Sequence, residues 1–290
     1  MTIPNLSGNG VALVTPFNED FSIDFSALEN IINHIISGGA DFIVVLGTTG
    51  EASLLSLDEK LSLIAFVKEK VAGRVPLVLG YGGINTSEMI RNFGLYDFSG
   101  IEAILTVTPY YVKPSQEGLY RHYRAVADAS PRPVILYNVP GRTGVNMEPD
   151  TTLRLAGHPN IIGIKEASGK LFQIEEILMR RPDGFLLFSG DDALTFHLRN
   201  LGADGVISVI ANAFPSEISV IAGAENPSRL SLHLDLKWLT KAVFADGNPC
   251  GIKYVLSRMG LCRNVLRLPL VPVGDKTAAE IDRLMALMAP

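Results

Sequence analysis

Short apolar segments, each followed by a helical pattern, repeat along the chain. Eight of these segments are rich in β-branched residues and show no clean alternation of apolar and polar positions, which is typical of strands buried on both faces of a parallel sheet. The eight predicted strands cover residues 11–14, 42–46, 76–79, 103–107, 133–137, 161–164, 185–188 and 205–210. The pattern therefore indicates a parallel α/β protein.

Helix boundaries are marked between the predicted strands. Ser56 with Glu59, and Asn85 with Glu88, fit the capping box, in which two side chains satisfy free backbone N–H groups at the start of a helix. Gly202 precedes a predicted strand, as expected for a glycine that ends a helix in a left-handed conformation.

Eight strand–helix pairs fill residues 10–222, which predicts a (β/α)8 TIM barrel of the usual size, roughly 250 residues. The rest of the chain shows no strand pattern and predicts helices near 227–244, 249–258 and 276–288. We therefore expect an α/β fold with a barrel over residues 1–222 and a C-terminal helical appendage over 223–290. A doubly wound sheet is the alternative, but the glycine-rich segment at 80–83 lacks the G-x-G-x-x-G fingerprint.

Composition narrows the class of protein. The 290 residues carry a net charge of −5 without basic blocks, which argues against binding to nucleic acid or to an anionic membrane. No apolar run reaches the roughly 18 residues of a membrane span, and residues 1–5 lack a signal-peptide pattern. Only Cys250 and Cys262 occur, which fits a reducing compartment and predicts a cytoplasmic location.

The active site of a TIM barrel lies at the carboxyl ends of its strands, and Lys165 follows one of these strands directly. Partial desolvation there favours the neutral amine, which can form a Schiff base with a carbonyl substrate. The alternative, equally weighted on position alone, is a lysine that reaches solvent or pairs with Glu166.

Other polar residues at the predicted strand ends are weaker candidates when each is considered alone. The Tyr137 hydroxyl could transfer a proton, Thr48 and Thr49 could cradle a carboxylate, and Arg142 could clamp one. For each of them an ordinary structural side chain is the commoner explanation.

Metal chemistry receives little support from the sequence. The five histidines are scattered without an H-E-x-x-H pattern, and Asp191 with Asp192 are more often caps than ligands. We therefore predict no metal site.

Several motifs resemble the dihydrodipicolinate synthase / N-acetylneuraminate lyase family. They are GTTGE at 47–51, YNVPGRTG at 137–144 and GIKEA at 163–167. TVTPYY at 106–111, KPSQEGLY at 113–120, GVISV at 205–209 and LRLPL at 266–270 resemble the synthase branch in particular. The resemblance extends over almost the whole chain.

The resemblance implies a class I aldolase-type lyase that forms a Schiff base. Pyruvate would form an imine with Lys165, and the derived enamine would attack the aldehyde of L-aspartate 4-semialdehyde, on the route to diaminopimelate and lysine. No cofactor would be needed, because the lysine amine activates the substrate.

The resemblance also implies roles for individual residues. Tyr137 would transfer protons, in a relay with Thr48 and Tyr111. In the family, the tyrosine that matches Tyr111 reaches into the site of the neighbouring subunit, which implies at least a dimer and usually a homotetramer built as a dimer of dimers.

The substrate-binding residues follow in the same way. Thr49 would hold the pyruvate carboxylate, and Arg142 would bind the carboxylate of the semialdehyde. Gly190 and Ile207 match positions that present carbonyl groups near the substrate.

Alternative functions within the family are an N-acetylneuraminate lyase and a 2-keto-3-deoxy sugar-acid aldolase. Arg142 favours the amino-acid aldehyde over an amino sugar, on the argument that a buried arginine without its anion is costly. A barrel that only binds a small molecule is less favoured, because the lysine, tyrosine and arginine are all present.

A possible effector site is indicated by Glu88 and Tyr110, which match the feedback-lysine site of inhibited relatives. Leu57, Lys60 and Ile84 depart from that site, and Lys60 would repel a cationic effector. We therefore predict weak or absent inhibition by lysine.

Overall fold

The computed structural model describes residues 6–223 and 226–288. The region without a signal-peptide pattern, residues 1–5, lies outside these described residues, as do 224–225 at the expected domain boundary and 289–290. No helix of the described residues is both long and apolar enough to cross a membrane.

Eight parallel strands form a closed barrel in chain order, which confirms the predicted (β/α)8 fold. The strands are β1 (Gly8–Ala12), β2 (Phe42–Val45), β3 (Leu77–Gly80), β4 (Ala103–Val107), β5 (Val134–Asn138), β6 (Ile161–Glu166), β7 (Leu186–Ser189) and β8 (Gly205–Ser208). The barrel closes where β8 pairs with β1, with Gly205 opposite Gly8.

Twelve helices lie within the described residues. The first nine follow the strands: α1 (Phe25–Ser37), α2 (Leu57–Val71), α3 (Thr86–Asn92), α4 (Gln116–Ala129), α5 (Pro140–Thr143), α6 (Pro149–Ala156), α7 (Leu171–Arg180), α8 (Thr195–Asn200) and α9 (Pro215–Ala222). The remaining three are α10 (Arg229–Val243), α11 (Cys250–Arg258) and α12 (Asp275–Met288), as expected of the C-terminal segment.

The helix signals of the sequence are only partly confirmed. Ser56 and Glu59 form the complete capping box at the start of α2. At α3 the Asn85 side chain accepts from the Glu88 backbone N–H, but the reciprocal bond from the Glu88 side chain is not formed. The second predicted capping box therefore has only one of its two hydrogen bonds.

Two apolar layers hold the barrel together. Inside the barrel, a cluster of inward-facing side chains includes Phe42, Phe188 and Ile207, and the two phenylalanine rings meet edge to face at 5.5 Å. A larger cluster fills the space between the strands and the surrounding helices. The inner cluster ends in Tyr137 and adjoins Lys165, so the apolar core forms the floor beneath the site.

Candidate active site

Two cavities meet at the carboxyl end of the barrel. The larger has a volume of about 1060 Å³ and the smaller about 630 Å³. The residues that line both are Thr49, Tyr137, Val139, Arg142 and Lys165. The two cavities therefore share a wall that contains four of the predicted site residues.

Lys165 lies near the end of β6 and is only 5% exposed. In the parallel register it stands beside Tyr137 of β5, and its amine lies 4.6 Å from the centre of the Tyr137 ring. Because successive residues of a strand face opposite sides, the next residue, Glu166, points away from the barrel interior. Of the alternatives considered from sequence, the structure therefore favours a lysine directed into the cavity.

Glu166 links the carboxyl ends of β5 and β6 by hydrogen bonds, on the side of the sheet opposite to Lys165. Its carboxylate accepts hydrogen bonds from the Asn138 side chain at 3.1 and 3.2 Å, from the Ser168 N–H at 2.7 Å and from the Gln173 side chain at 3.1 Å. Burial raises the pKa of Glu166, and these hydrogen bonds oppose the rise. The network fixes the two strands that carry Tyr137 and Lys165.

Gly190 directly follows β7 and lies against Lys165. A Cβ atom at this position would lie 3.0 Å from Lys165 Cε and 2.7 Å from the Ala167 Cβ. Only glycine therefore allows this close approach. Ile207, on β8, is buried and lines the smaller cavity together with Lys165.

The two threonines lie in a single 3₁₀ turn, Thr48–Gly50, after β2. Thr49 is buried, and its hydroxyl accepts a hydrogen bond of 3.0 Å from the Asn248 side chain. Thr48 is exposed and lines the smaller cavity. The turn thus directs one hydroxyl into a packed environment and the other toward open space.

Arg142 is carried by the one-turn helix α5 and lines both cavities. Its guanidinium donates to the backbone carbonyl of Asn248 at 3.2 Å. The side chain is exposed, so the argument from the cost of a buried arginine was wrong. A one-turn helix at the rim leaves the guanidinium in contact with water, where its charge needs no fixed partner.

Within one chain, Tyr111 does not line the cavities with Thr48 and Tyr137, the other two residues of the predicted proton relay. Its side chain is 87% exposed, its backbone is left-handed with φ of 68°, and it lines neither of the two cavities. By contrast, Glu88 and Tyr110 line the smaller cavity together with Lys60 and Ile84.

Sequence reasoning missed Asn248, which lies just before α11. Its side chain donates to Thr49, and its backbone carbonyl accepts from Arg142. Its own Oδ1 is buried and has no hydrogen-bond partner among the residues that the structure describes. The larger cavity also includes Lys237 and Lys276 from α10 and α12. No motif identified these residues, because the C-terminal segment has no strand end to point to a site.

The two adjacent aspartates act as structural caps. Asp191 accepts from the Ala193 N–H at 2.9 Å, and Asp192 accepts from Ser208 and from the Val209 N–H. Burial raises the pKa of both carboxyl groups. Within residues 6–223 and 226–288, no group of three or more His, Cys, Asp or Glu residues is arranged to hold a metal ion.

Comparison with known proteins agrees with the motifs. A family model for the dihydrodipicolinate synthetase family matches residues 5–287. Two proteins named 4-hydroxy-tetrahydrodipicolinate synthase are 48% and 47% identical to this chain. They come from Parabacteroides distasonis, with 97% of this chain and 96% of that protein covered, and from Flavobacterium psychrophilum, with 95% and 96% covered.

A solved structure gives the same result. The chloride-inhibited dihydrodipicolinate synthase from Acinetobacter baumannii, complexed with pyruvate, is 39% identical with a TM-score of 0.93, and the match covers 98% of each chain. The names of these relatives confirm the predicted enzyme class and favour the synthase over the lyase and the sugar-acid aldolase. The chain therefore belongs to the dihydrodipicolinate synthetase family.

Proposed function

We propose that this chain carries out the reaction of its synthase relatives, forming 4-hydroxy-tetrahydrodipicolinate from pyruvate and L-aspartate 4-semialdehyde in the biosynthesis of diaminopimelate and lysine. The observation that carries the proposal is the position of Lys165, an almost buried amine that faces a cavity beside the Tyr137 ring. Primary amines in such surroundings form imines with carbonyl substrates.

The reaction proceeds through covalent bonds to Lys165. Its amine adds to the ketone carbon of pyruvate, water leaves, and the protonated imine withdraws electrons so that the methyl group loses a proton. The resulting enamine attacks the aldehyde carbon of the semialdehyde, whose oxygen takes up a proton. The amine of the semialdehyde then displaces Lys165 from the imine carbon, which closes the ring and frees the lysine.

Proton transfer during these steps is assigned to Tyr137, with Thr48 and Tyr111 completing the relay. Tyr137 lines both cavities next to Lys165, and Thr48 lines the smaller one. Tyr111 would act in the site of a neighbouring subunit, which agrees with its exposed side chain.

Substrate binding is assigned to four residues around the shared wall. Thr49 holds the pyruvate carboxylate, and Arg142 at the rim pairs with the carboxylate of the semialdehyde. Gly190 and Ile207 present backbone carbonyl groups near the bound substrates. Each of the four lines at least one of the two cavities.

We further propose a homotetramer built as a dimer of dimers. Two separate parts of the surface expose large apolar side chains: Tyr111 with Val112 after β4, and Leu171 with Phe172 at the start of α7. Contiguous exposed apolar surface marks interaction sites in soluble proteins. The two pairs of exposed side chains support this assembly, because a dimer of dimers needs two kinds of contact.

We also propose that the chain divides into a barrel over residues 1–222 and a helical region over residues 223–290. We propose a cytoplasmic location as well. The C-terminal helical region packs on the barrel rather than standing apart, since Arg263 pairs with Asp24 and Arg267 pairs with Glu59. The location rests on the small number of cysteines alone.

An assay with pyruvate and L-aspartate 4-semialdehyde, coupled to the NAD(P)H-dependent reductase that consumes the product, tests the function. We expect NAD(P)H oxidation that requires both substrates and is unaffected by EDTA. Arg142→Ala should raise the KM for the semialdehyde about 10-fold or more, while Arg121→Ala, which breaks a surface pair, should not. Condensation of pyruvate with a neutral sugar aldehyde, and not with the semialdehyde, would contradict the proposal.

A further inference from the structure

A second buried lysine lies outside the two cavities. Lys253, in the middle of α11, is fully buried and forms an ion pair with Glu51, whose side chain is also fully buried. The Lys253 amine also donates to the Val265 carbonyl at 2.8 Å and lies 4.1 Å from the centre of the Phe17 ring. Buried ion pairs are weak contributors to stability compared with apolar packing, so this pair invites a functional explanation.

Glu51 directly follows the turn that carries the two threonines. Its backbone has φ of 52°, in the left-handed region that a non-glycine residue rarely adopts. The carboxylate is held on both sides, by Lys253 at one oxygen and by the Arg267 N–H at the other, at 3.2 Å. The Glu51 N–H in turn donates to the Thr48 carbonyl at 3.1 Å. The side chain of Glu51 therefore fixes the end of the threonine turn.

The segment that leads into α11 also contacts the turn. Asn248, two residues before the start of α11, donates to the Thr49 hydroxyl at 3.0 Å. Across the turn, the Thr15 hydroxyl donates to the Gly50 carbonyl at 2.7 Å. The threonine turn is thus held on one side by the segment that follows β1 and on the other by the segment that precedes α11.

We propose that Glu51 and Lys253 form a positioning pair, through which α11 sets the Thr48–Thr49 turn for the carboxylate of the keto-acid substrate. Neither residue lines the two cavities, so the pair acts through the turn and not by touching substrate. The proposal rests on the proposed function, because it takes the turn to be the carboxylate cradle. A misplacement of about 1 Å in such a cradle is enough to impair binding and rate.

A matched control comes from an ion pair at the opposite end of the barrel. Asp204, just before β8, pairs with Arg181 and accepts from the Leu187 N–H at 2.7 Å. These groups lie at the amino ends of β7 and β8, away from the site. Loss of this pair should affect stability without affecting the threonine turn.

The test measures the pyruvate concentration that gives half-maximal imine trapping by borohydride, in the full-length protein. The variants are Glu51→Gln, the double variant Glu51→Gln/Lys253→Met and the control Asp204→Asn. We expect the first two to raise the half-saturating pyruvate concentration about 10-fold, and the control to change it less than about 2-fold. The double variant leaves no lone buried charge, so it keeps the test decisive if the single variant does not fold.

Equal changes in all three variants, or no change in the double variant, would overturn the positioning pair. Imine trapping needs no aldehyde, so its outcome is separate from that of the coupled assay. A wild-type protein that fails to condense the two substrates would count against the proposed function, whereas an unchanged pyruvate half-saturation would count against the positioning pair.

Discussion

The two buried lysines of this chain have the same side chain in opposite surroundings. Lys165 projects from a strand into a cavity and lies beside an aromatic ring. Lys253 projects from a helix into a closed space, where the Glu51 carboxylate and the Val265 backbone carbonyl accept hydrogen bonds from its amine. Burial lowers the pKa of Lys253, and the Glu51 carboxylate opposes that change.

The difference shows that burial alone does not identify a reactive amine. An amine becomes a nucleophile where it can lose its proton and reach a carbonyl carbon, which requires open space beside it. An amine enclosed by a carboxylate and a carbonyl has no space for a substrate, and its hydrogen bonds hold its surroundings in place. We therefore expect substitutions at Lys165 to lower the reaction rate and substitutions at Lys253 to lower the stability of the fold.

The largest effect is expected at Lys165. Lys165→Ala removes the nucleophile, so kcat/KM for the condensation should fall on the order of 10⁴-fold or more while the protein remains folded. Lys170→Ala, which changes an exposed lysine in the same segment, should leave the rate within about 2-fold. The coupled assay and thermal unfolding measure the two properties, and a Lys165→Ala variant with near wild-type turnover would refute the assignment.

At Lys253 the main effect should be on stability. Lys253→Met leaves the Glu51 carboxylate buried and alone, which should lower the free energy of unfolding by about 3–5 kcal/mol. The double variant Glu51→Gln/Lys253→Met should recover most of that loss. Urea unfolding measures both, and a single variant as stable as wild type would mean that the pair is not buried in solution.

Tyr137→Phe separates the proposed proton transfer by Tyr137 from the packing of its ring against Lys165. The ring remains beside the amine while the hydroxyl is lost, so kcat should fall about 10²-fold or more. Tyr123→Phe is the control, because its hydroxyl donates to the Thr106 carbonyl within the core. Steady-state kinetics that showed equal losses in the two variants would assign a structural role to Tyr137.

Gly190→Ala tests whether imine formation depends on the exact position of the Lys165 side chain. The added methyl group would lie 3.0 Å from Lys165 Cε, so the lysine must move and imine formation should slow about 10-fold. Gly94→Ala adds a methyl group where nothing lies within 4 Å and serves as control. An unchanged trapping rate in Gly190→Ala would show that the lysine tolerates displacement.

The smallest effect is expected from added L-lysine. Lys60 lines the smaller cavity together with Glu88 and Tyr110, and its positive charge should repel a cationic effector. Millimolar L-lysine should leave the initial rate of the wild-type protein nearly unchanged. In Lys60→Ala the repelling charge is gone, so inhibition by L-lysine should be as weak as in the wild type or stronger. A substantial decrease of the wild-type rate would contradict this prediction.

The strands, and the position of Lys165 at the carboxyl end of one of them, could be predicted because their signals are local. The first strand was placed three residues too late, since it begins at Gly8 and its first residues carry little apolar signal. Gly10 is required there because the Phe42 ring occupies the space of a Cβ atom, 2.2 Å away. A contact between distant residues of this kind leaves no pattern in the sequence.

The contacts of the C-terminal region could not be predicted for the same reason. Asn248 and Lys253 lie about 200 residues after the turn that they hold, and neither belongs to a periodic pattern that ends at the site. The exposure of Arg142 also escaped prediction, because it depends on α5 being a single turn at the rim.

Borohydride reduction in the presence of pyruvate, followed by peptide mass mapping, tests the distinction between the two lysines most directly. We expect a pyruvyl adduct on the peptide that contains Lys165 and none on the peptide that contains Lys253. An adduct at Lys253, or the absence of any adduct at Lys165, would contradict this distinction.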